Sequence, residues 1–420
     1  MKKSFLLGAL LLLIYTAQSQ IKDNLYQLYE DKQFPALHLA NTDVSHPYYY
    51  FYKAVYANAC NRPDSSLQYL QQFLGKKKTP PSELAFAYYK LENDNYVRSF
   101  RFAKAESTGV YLTKKFKNKF TADELKGNNY ANMIWKALKK QPVQKIEQPA
   151  ADTLPFKRDL AGLINIKVTT EKSEASFVFD TGAGLSTITD SYAEKMGLII
   201  LPDSGIQVSG FNDIYNPVRI GIAPKLQIGN IIVYNEPFLI FQDEAFSFAN
   251  GAYKINGIIG FPIAKELGRI TIEPNQLVVN RHDKEDASLA RNFFMETLRP
   301  VLMMEYKGKL LPFNFDTGAN GSTFTGKFYN LDSTTLLTQG QFVDATAASA
   351  GGATTNRMLK LPKLEFLLNG KIISFADAQV DPGLQEVSDD KLYGNIGQDI
   401  LRQYKKVILD FGNSYFGLEN

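Results

Sequence analysis

Residues 177–189 read Phe-Val-Phe-Asp-Thr-Gly-Ala-Gly-Leu-Ser-Thr-Ile-Thr, the first of two closely similar segments. A second copy, residues 313–325, reads Phe-Asn-Phe-Asp-Thr-Gly-Ala-Asn-Gly-Ser-Thr-Phe-Thr. In each copy an apolar strand pattern ends at an aspartate, Asp180 in the first and Asp316 in the second. A single Asp-Thr-Gly is a weak signal, because short turns of this composition are common. Two copies in the same local context predict a duplicated structural unit.

A second pair of motifs supports the duplication. Residues 257–260 read Gly-Ile-Ile-Gly and residues 394–397 read Gly-Asn-Ile-Gly. The last glycines of these motifs are separated by almost the same length of chain as the two aspartates. Two separated motifs at nearly one offset indicate two copies of one lobe. We place the first lobe at residues 155–285 and the second lobe at residues 286–420. Asn395 is the weaker match, because it is polar where the first copy has isoleucine.

The chain before the lobes has a different pattern. Residues 20–140 carry apolar side chains at helical spacing, as at Leu67, Leu70 and Leu74, which predicts an α-helical domain. Its short paired helices resemble tetratricopeptide-type hairpins, although no clean repeat period is present. Residues 141–154 are polar and proline-containing, so we interpret them as a linker. After the linker, short alternating runs broken by Gly, Asn and Pro predict strands.

The N-terminus predicts export. A basic start is followed by an apolar run over residues 5–15 and by Ala17 and Ser19, small residues at the positions that signal peptidase reads. Residues 1–19 are therefore predicted to be a cleaved signal peptide. The apolar run is shorter than the ~20 residues of a bilayer-spanning helix, so we expect no stable membrane span. The expected location is the periplasm or the medium of a bacterium.

Composition narrows the range of functions. The apolar and charged contents are ordinary for a globular protein. The net charge of +4 is too small to predict a nucleic-acid partner. The single cysteine, Cys60, excludes an intramolecular disulfide, and the three histidines lack metal-ligand spacing. We therefore expect neither a metal nor a cofactor.

The two Asp-Thr-Gly-Ala blocks resemble the active-site loops of the aspartic peptidases. The resemblance covers residues 155–420, where each lobe is similar to a retropepsin monomer and the fused pair is arranged as in pepsin. It implies a multidomain fold class, in which an all-α region precedes an all-β, bilobal, acid-protease-like double β-barrel. Because pepsin-type disulfides are missing, the retropepsin-like description fits better.

The resemblance also implies roles for individual residues. Asp180 and Asp316 would be the catalytic carboxylates, sharing one proton because two like charges in contact cannot both ionise cheaply. The paired threonines would lock the two loops together, and the glycines would permit tight turns. These expected supporting residues are Thr181, Gly182, Thr317 and Gly318.

Aspartic peptidases cover their substrate with glycine-rich flaps. The resemblance places flap residues at Gly210 and Phe211 in the first lobe and at Gly351 and Gly352 in the second. Small residues suit a mobile lid that excludes water, and an ordinary surface hairpin is the alternative interpretation.

These observations favour an exported aspartic endopeptidase that acts on a peptide or protein substrate. The alternative is a peptide-binding protein that keeps the same scaffold without turnover. Retention of both aspartates argues against that alternative, since a binder has no need for two costly like charges. The helical domain could be a pro-segment, an inhibitor of the cleft, or a module that docks a protein partner, and the sequence leaves these three roles open.

Overall fold

The computed structural model describes residues 24–210, 215–281, 285–350, 352–383 and 391–420. The predicted signal peptide at residues 1–19 lies outside the described residues.

The described residues before position 140 form an array of α-helices. The seven helices are α1 (Asn24–Glu30), α2 (Phe34–Ala40), α3 (Tyr49–Ala59), α4 (Pro63–Leu74), α5 (Ala85–Arg98), α6 (Phe102–Lys115) and α7 (Ala122–Leu138). Helix α7 starts at a capping box: the Glu124 N–H donates to Oγ1 of Thr121, and the Thr121 N–H donates to Oε2 of Glu124. None of the helices in the described residues combines the length and the apolar character that crossing a membrane requires.

The helical region packs against both lobes. The ring of Phe294 in the second lobe lies 5.3 Å from that of Phe34 and 6.2 Å from that of Tyr56. On the side of the first lobe, the ammonium of the buried Lys265 lies 4.7 Å from the ring centroid of Phe100. Helices and lobes therefore share apolar cores.

The rest of the described chain is rich in strands. The strands of the linker and first lobe are β1 (Lys145–Glu147), β2 (Ala151–Arg158), β3 (Ile164–Thr169), β4 (Glu174–Phe179), β5 (Ser186–Thr189), β6 (Ile199–Ile200), β7 (Ile206–Ser209), β8 (Tyr215–Ile228), β9 (Ile231–Phe241), β10 (Ser247–Phe248), β11 (Tyr253–Lys254), β12 (Gly257–Ile259), β13 (Arg269–Ile272) and β14 (Gln276–Asn280). Those of the second lobe are β15 (Phe293–Glu296), β16 (Arg299–Tyr306), β17 (Lys309–Phe315), β18 (Thr323–Phe324), β19 (Gln341–Ser349), β20 (Gly352–Leu368), β21 (Lys371–Val380), β22 (Gly394–Ile396), β23 (Lys406–Asp410) and β24 (Tyr415–Glu419).

Three helices lie among these strands, although the strand pattern predicted an all-β region. They are α8 (Asp190–Met196), α9 (Phe261–Ala264) and α10 (Gly326–Gln339). Helix α8 directly follows β5, and α10 follows β18 after one residue, so each begins shortly after the strand that leaves the Asp-Thr-Gly loop.

Two large sheets hold most of the strands. The first has the order β24-β23-β13-β14-β2-β3-β4-β12-β5-β9-β8-β6, with β1 on β9 and β7 on β8. The second has the order β15-β16-β17-β22-β18-β21-β20-β19. The last two strands of the chain thus join the first sheet, where β23 pairs with β13 through Ile270 and Leu409.

The predicted order of a helical region followed by a β-rich part is confirmed, while the division of that part into two lobes and the closure of each lobe into a barrel stay predictions. The segment interpreted as a linker contains β1, which pairs with β9 through Ile146 and Val233, and the start of β2. Its polar composition fits strands that keep one face in solvent.

The same strand pairings surround the Asp-Thr-Gly loop in both lobes. In the first lobe β12 lies between β4, to which it is parallel, and β5, to which it is antiparallel. In the second lobe β22 lies in the same way between β17 and β18. The register places Ile258 opposite Val178 in one lobe and Asn395 opposite Asn314 in the other. Each aspartate therefore leaves a central strand at an equivalent position.

Candidate active site

Both aspartates stand at the first residue after a buried strand. The N–H of Asp180 donates to the carbonyl of Ile259 at 3.0 Å, and the N–H of Asp316 donates to that of Ile396 at 2.9 Å. The strand alongside therefore fixes the start of each loop.

Two threonines join the loops across the interface between the lobes. The N–H of Thr181 donates to Oγ1 of Thr317 at 3.0 Å, and the N–H of Thr317 donates to Oγ1 of Thr181 at 3.1 Å. Each hydroxyl then donates to the opposite strand, from Thr181 to the Phe315 carbonyl at 3.0 Å and from Thr317 to the Phe179 carbonyl at 2.7 Å. Both threonines are fully buried. This crossed arrangement, which we call the threonine lock, fixes the position of one carboxylate relative to the other.

The glycines bring each loop against the opposite carboxyl group. A Cβ added at Gly182 would lie 2.5 Å from Cγ of Asp316, and one added at Gly318 would lie 2.3 Å from Cγ of Asp180. No side chain fits at either position without displacing a carboxyl group. The same glycines donate their N–H groups to the aspartate of their own loop, at 2.7 Å to Oδ1 of Asp180 and 2.8 Å to Oδ1 of Asp316.

The charge of Asp316 acts on Asp180 across the two loops. Burial and the neighbouring Asp316 carboxylate raise the pKa of Asp180 well above its usual value. The N–H groups of Gly182 and Ala183 oppose the rise, because they stabilise the charged form. The raised pKa keeps a proton on Asp180 to a higher pH than an ordinary aspartic acid would allow.

In each lobe a serine hydroxyl accepts a hydrogen bond from the strand segment beside the Asp-Thr-Gly loop, a role that the sequence did not reveal. Oγ of Ser186 accepts the N–H of Gly260 at 3.1 Å and donates to Oε1 of Glu236 at 2.6 Å. Ser186 and Ser322 occupy the same position in the two Asp-Thr-Gly segments. This recurrence was the signal in the sequence that could have identified the role. Ser322 makes the same two bonds in the second lobe, with the Gly397 N–H at 2.9 Å and with Oδ1 of Asp399 at 2.6 Å.

Glu236 is a second residue that sequence reasoning missed. Its side chain is fully buried and also accepts a hydrogen bond from Nε2 of Gln144. Burial raises the pKa of Glu236 to about 8, against the opposing effects of Ser186, Gln144 and Lys265. A lone acid inside the apolar strand β9 was the available signal.

Asn395 reaches the site directly. Its Nδ2 donates to Oδ2 of Asp316 at 3.1 Å, and its Oδ1 accepts a hydrogen bond of 2.6 Å from Nδ2 of Asn314. The sequence marked Asn395 only as an imperfect motif match, although the residue contacts one of the two carboxyl groups.

Two hairpins extend from the lobes toward each other. Strands β7 and β8 form the first hairpin, with Gly210 just after β7, and strands β19 and β20 form the second, with Gly352 at the start of β20. Nδ2 of Asn216 in the first hairpin donates to the carbonyl of Ala350 in the second at 3.3 Å. The other two predicted flap residues, Phe211 and Gly351, lie outside the described residues.

Helix α7 holds the first hairpin. The hydroxyl of Tyr130 donates to Oε1 of Gln207 in β7 at 3.0 Å, and its ring lies 5.8 Å from that of Tyr215 in β8. The ammonium of Lys126 lies 3.6 Å from the centroid of the Tyr215 ring. These contacts link the helical region to the predicted flap of the first lobe.

Comparison with known proteins points to the same part of the chain. Residues 166–263 match the family model described as aspartyl protease. The matched stretch contains Asp180 and Gly260 and lies within the first lobe. No curated protein matches the chain. Residues 166–263 thus form an aspartic-protease-like region, which supports a protease-like function. Within the described residues, no group of three or more His, Cys, Asp or Glu side chains is placed to hold a metal ion.

Proposed function

We propose that the protein is an aspartic endopeptidase in which Asp180 and Asp316 activate a water molecule to hydrolyse peptide bonds. The observation that carries the proposal is the threonine lock, because it holds two acidic loops face to face at the interface between the lobes. The aspartic-protease-like region at residues 166–263 gives independent support.

The chemistry follows from a pair that holds one proton. The ionised carboxylate takes a proton from water as the water oxygen attacks the carbonyl carbon, and the protonated carboxyl donates to the carbonyl oxygen. The tetrahedral intermediate then collapses: the carboxyl group that took the proton of water donates it to the amide nitrogen, the other carboxylate takes a proton from a hydroxyl of the intermediate, and the C–N bond breaks. The raised pKa of Asp180 supports its role as the acid at the start of the cycle.

The two hairpins supply a cover for the substrate in this proposal. Their contact through Asn216 and Ala350 supports a lid that closes from both sides. An extended peptide segment below them would lie across both carboxyl groups, and closure would exclude bulk water from the reaction.

For the helical region we propose a structural role within the enzyme. Phe294, Val301 and Met303 of the second lobe are buried in an apolar core shared with α3 and α5, so removal of the helices would expose them. A chain that lacks residues 24–140 should therefore be insoluble or unfolded. A soluble, active fragment would support a removable pro-segment instead. Export to the periplasm or medium is proposed from the N-terminal sequence alone.

The decisive experiment is cleavage of an unstructured polypeptide by the full chain, from acid to neutral pH. Wild type should cut it and Asp180→Asn should not, because the variant cannot pass a proton between water, substrate and leaving amine. Asp123→Asn, at an exposed aspartate in the first turn of α7, is the matched control and should cut normally. Wild type that binds the polypeptide without cutting it would overturn the proposal in favour of a binding protein.

A further inference from the structure

The residue pair beside each aspartate differs between the lobes. In the first lobe β4 and β12 contribute Val178 and Ile258, which face each other in register and are 2% and 8% exposed. In the second lobe β17 and β22 contribute Asn314 and Asn395 at the equivalent positions. An aliphatic pair in one lobe therefore corresponds to an amide pair in the other.

The amide pair has a defined orientation. Asn314 uses Nδ2 to donate to Oδ1 of Asn395, and this contact turns Nδ2 of Asn395 toward Oδ2 of Asp316. Asn395 therefore presents a donor, and not an acceptor, to the carboxyl group.

The strand register by itself does not require an amide pair. Val178 and Ile258 occupy the same strand register, so aliphatic side chains satisfy the packing. The amides also carry a cost, because Oδ1 of Asn314 is buried without a hydrogen-bond partner among the described residues. A role in the chemistry of Asp316 accounts for the pair better than a role in packing.

Hydrogen-bond donors are distributed unequally over the two carboxyl groups. Asp180 receives the N–H groups of Gly182 and Ala183 on Oδ1, which leaves Oδ2 without an N–H donor among the described residues. Asp316 receives Gly318 on Oδ1 and Asn395 on Oδ2, so both of its oxygens are acceptors. A carboxyl group whose two oxygens both accept is suited to the charged form, and an oxygen that no N–H contacts is suited to carry the proton.

We propose that Asn395, oriented by Asn314, is a positioning residue that places the negative charge of the pair on Asp316 and the proton on Asp180. Asp316 then begins each turnover as the base that accepts the proton of water, and Asp180 begins as the acid. This inference rests on the proposed peptidase function.

The other charged groups around the pair, Arg158 and Arg402, lie on the side of the second loop, where they favour the same placement of charge as Asn395 does. The Asp316 carboxylate raises the pKa of Asp180 and so helps to keep Asp180 protonated. Arg158 contacts the second loop through Gln398, whose Nε2 donates to the Thr317 carbonyl at 2.6 Å. Arg402 contacts Asn320 at the outer end of that loop.

The first test is the pH–rate profile of Asn395→Ile, which gives the second lobe the residue of the first. The singly ionised pair loses one hydrogen bond to its charge, so the acid limb of the profile should move to higher pH by about one unit. The alkaline limb should stay in place, because Asp316 is charged both before and after the second proton leaves and the lost hydrogen bond stabilises both forms equally. Ile258→Val, an aliphatic exchange in the first lobe, is the control and should move neither limb. An unchanged acid limb in Asn395→Ile would overturn the proposal.

The second test is independent of turnover. In the full chain labelled with ¹³C at aspartate carboxyl carbons, the resonance of Asp316 should move first as the pH is raised from acid, and that of Asp180 later. Resonances can be assigned with Asp180→Asn and Asp316→Asn. In Asn395→Ile the two resonances should move at pH values that are closer together, because the donor that makes the two aspartates different is lost. If Asp180 moves first in wild type, the proposal fails. A wild type that titrates in the expected order but cleaves no peptide would contradict the peptidase function alone.

Discussion

The two lobes present the same loop to the site and surround it differently. Both carry an aspartate, a locking threonine and a glycine that contacts the opposite carboxyl group. Beneath the loop, the first lobe has a fully buried glutamate, Glu236, where the second lobe has Asp399. Beside the aspartate, the first lobe has Ile258 where the second has Asn395. The loop therefore supplies the geometry common to both aspartates, while neighbouring strands supply the chemical difference between them.

The hairpins show a second difference between the lobes. The first hairpin is held by α7 through Tyr130, whereas the second is stabilised within itself, for example by a 2.8 Å hydrogen bond between the hydroxyls of Thr346 and Thr355. The helical region thus contacts the first hairpin directly, and the hydrogen bond between Asn216 and Ala350 joins that hairpin to the second.

Substitution of the loop glycines tests whether the two Asp-Thr-Gly loops are equivalent, and we expect it to reduce activity more than any other change. Gly182→Ala and Gly318→Ala each place a methyl group within 2.5 Å of the opposite carboxyl carbon. Since displacing a catalytic group by about 1 Å already costs about 10²-fold, each variant should lose about 10³-fold or more in kcat/KM. Cleavage of an unstructured polypeptide measures the loss.

The matched control is Gly127→Ala in α7, where an added Cβ has no atom within 4 Å. This variant should keep full activity and gain about 0.5–1 kcal/mol of stability, because alanine favours the helix. Near-normal activity in only one of the two loop variants would show that the loops are not equivalent.

The next prediction concerns the pH dependence of stability that Glu236 causes in the first lobe. Burial raises its pKa to about 8 from an ordinary value of 4.5, so between these values the folded chain keeps a proton that the unfolded chain has lost. Its contribution to stability is full below about pH 4.5 and is lost as the pH rises through about 8. From pH 5 to 7.5 the wild type should lose roughly 3 kcal/mol from this group.

The variant Glu236→Gln should remove this slope, because a glutamine is neutral at every pH. Denaturant unfolding as a function of pH gives the free energy of unfolding for both chains. Asp399→Asn in the second lobe is the control, and it should retain the slope since Glu236 is intact. Identical slopes in wild type and Glu236→Gln would contradict the assigned cause.

The smallest effect concerns the hold of α7 on the first hairpin. Tyr130→Phe removes the hydrogen bond to Gln207 and keeps the ring beside Tyr215. Loss of this one hydrogen bond should cost about 1 kcal/mol. Backbone amide exchange should quicken in β7 and at the start of β8, and KM should rise a few-fold. Thr346→Val should instead quicken exchange in the second hairpin alone. Faster exchange in both hairpins of Tyr130→Phe would show that the lids are coupled.

Sequence reasoning was effective where the signal is local. The order of helices and strands follows from hydrophobic spacing, and the repeated Asp-Thr-Gly identified the loops that the structure brings together. It was less effective where a partner comes from a distant strand. Glu236 lies 50 residues from Ser186, and Asn395 lies 79 residues from Asp316, so no local pattern could pair them.

Local sequence predicts two β-type copies with an aspartate at the end of a strand in each, because strand periodicity and a tight turn are properties of neighbouring residues. Three features emerge only from the packed chain: the loops interlock through their threonines, the last strands of the chain join the first sheet, and one aspartate receives a side-chain amide. Those features depend on which strands lie side by side. Strand pairing over long chain separations is set by the burial of the whole core, and the residues of any one segment do not encode it.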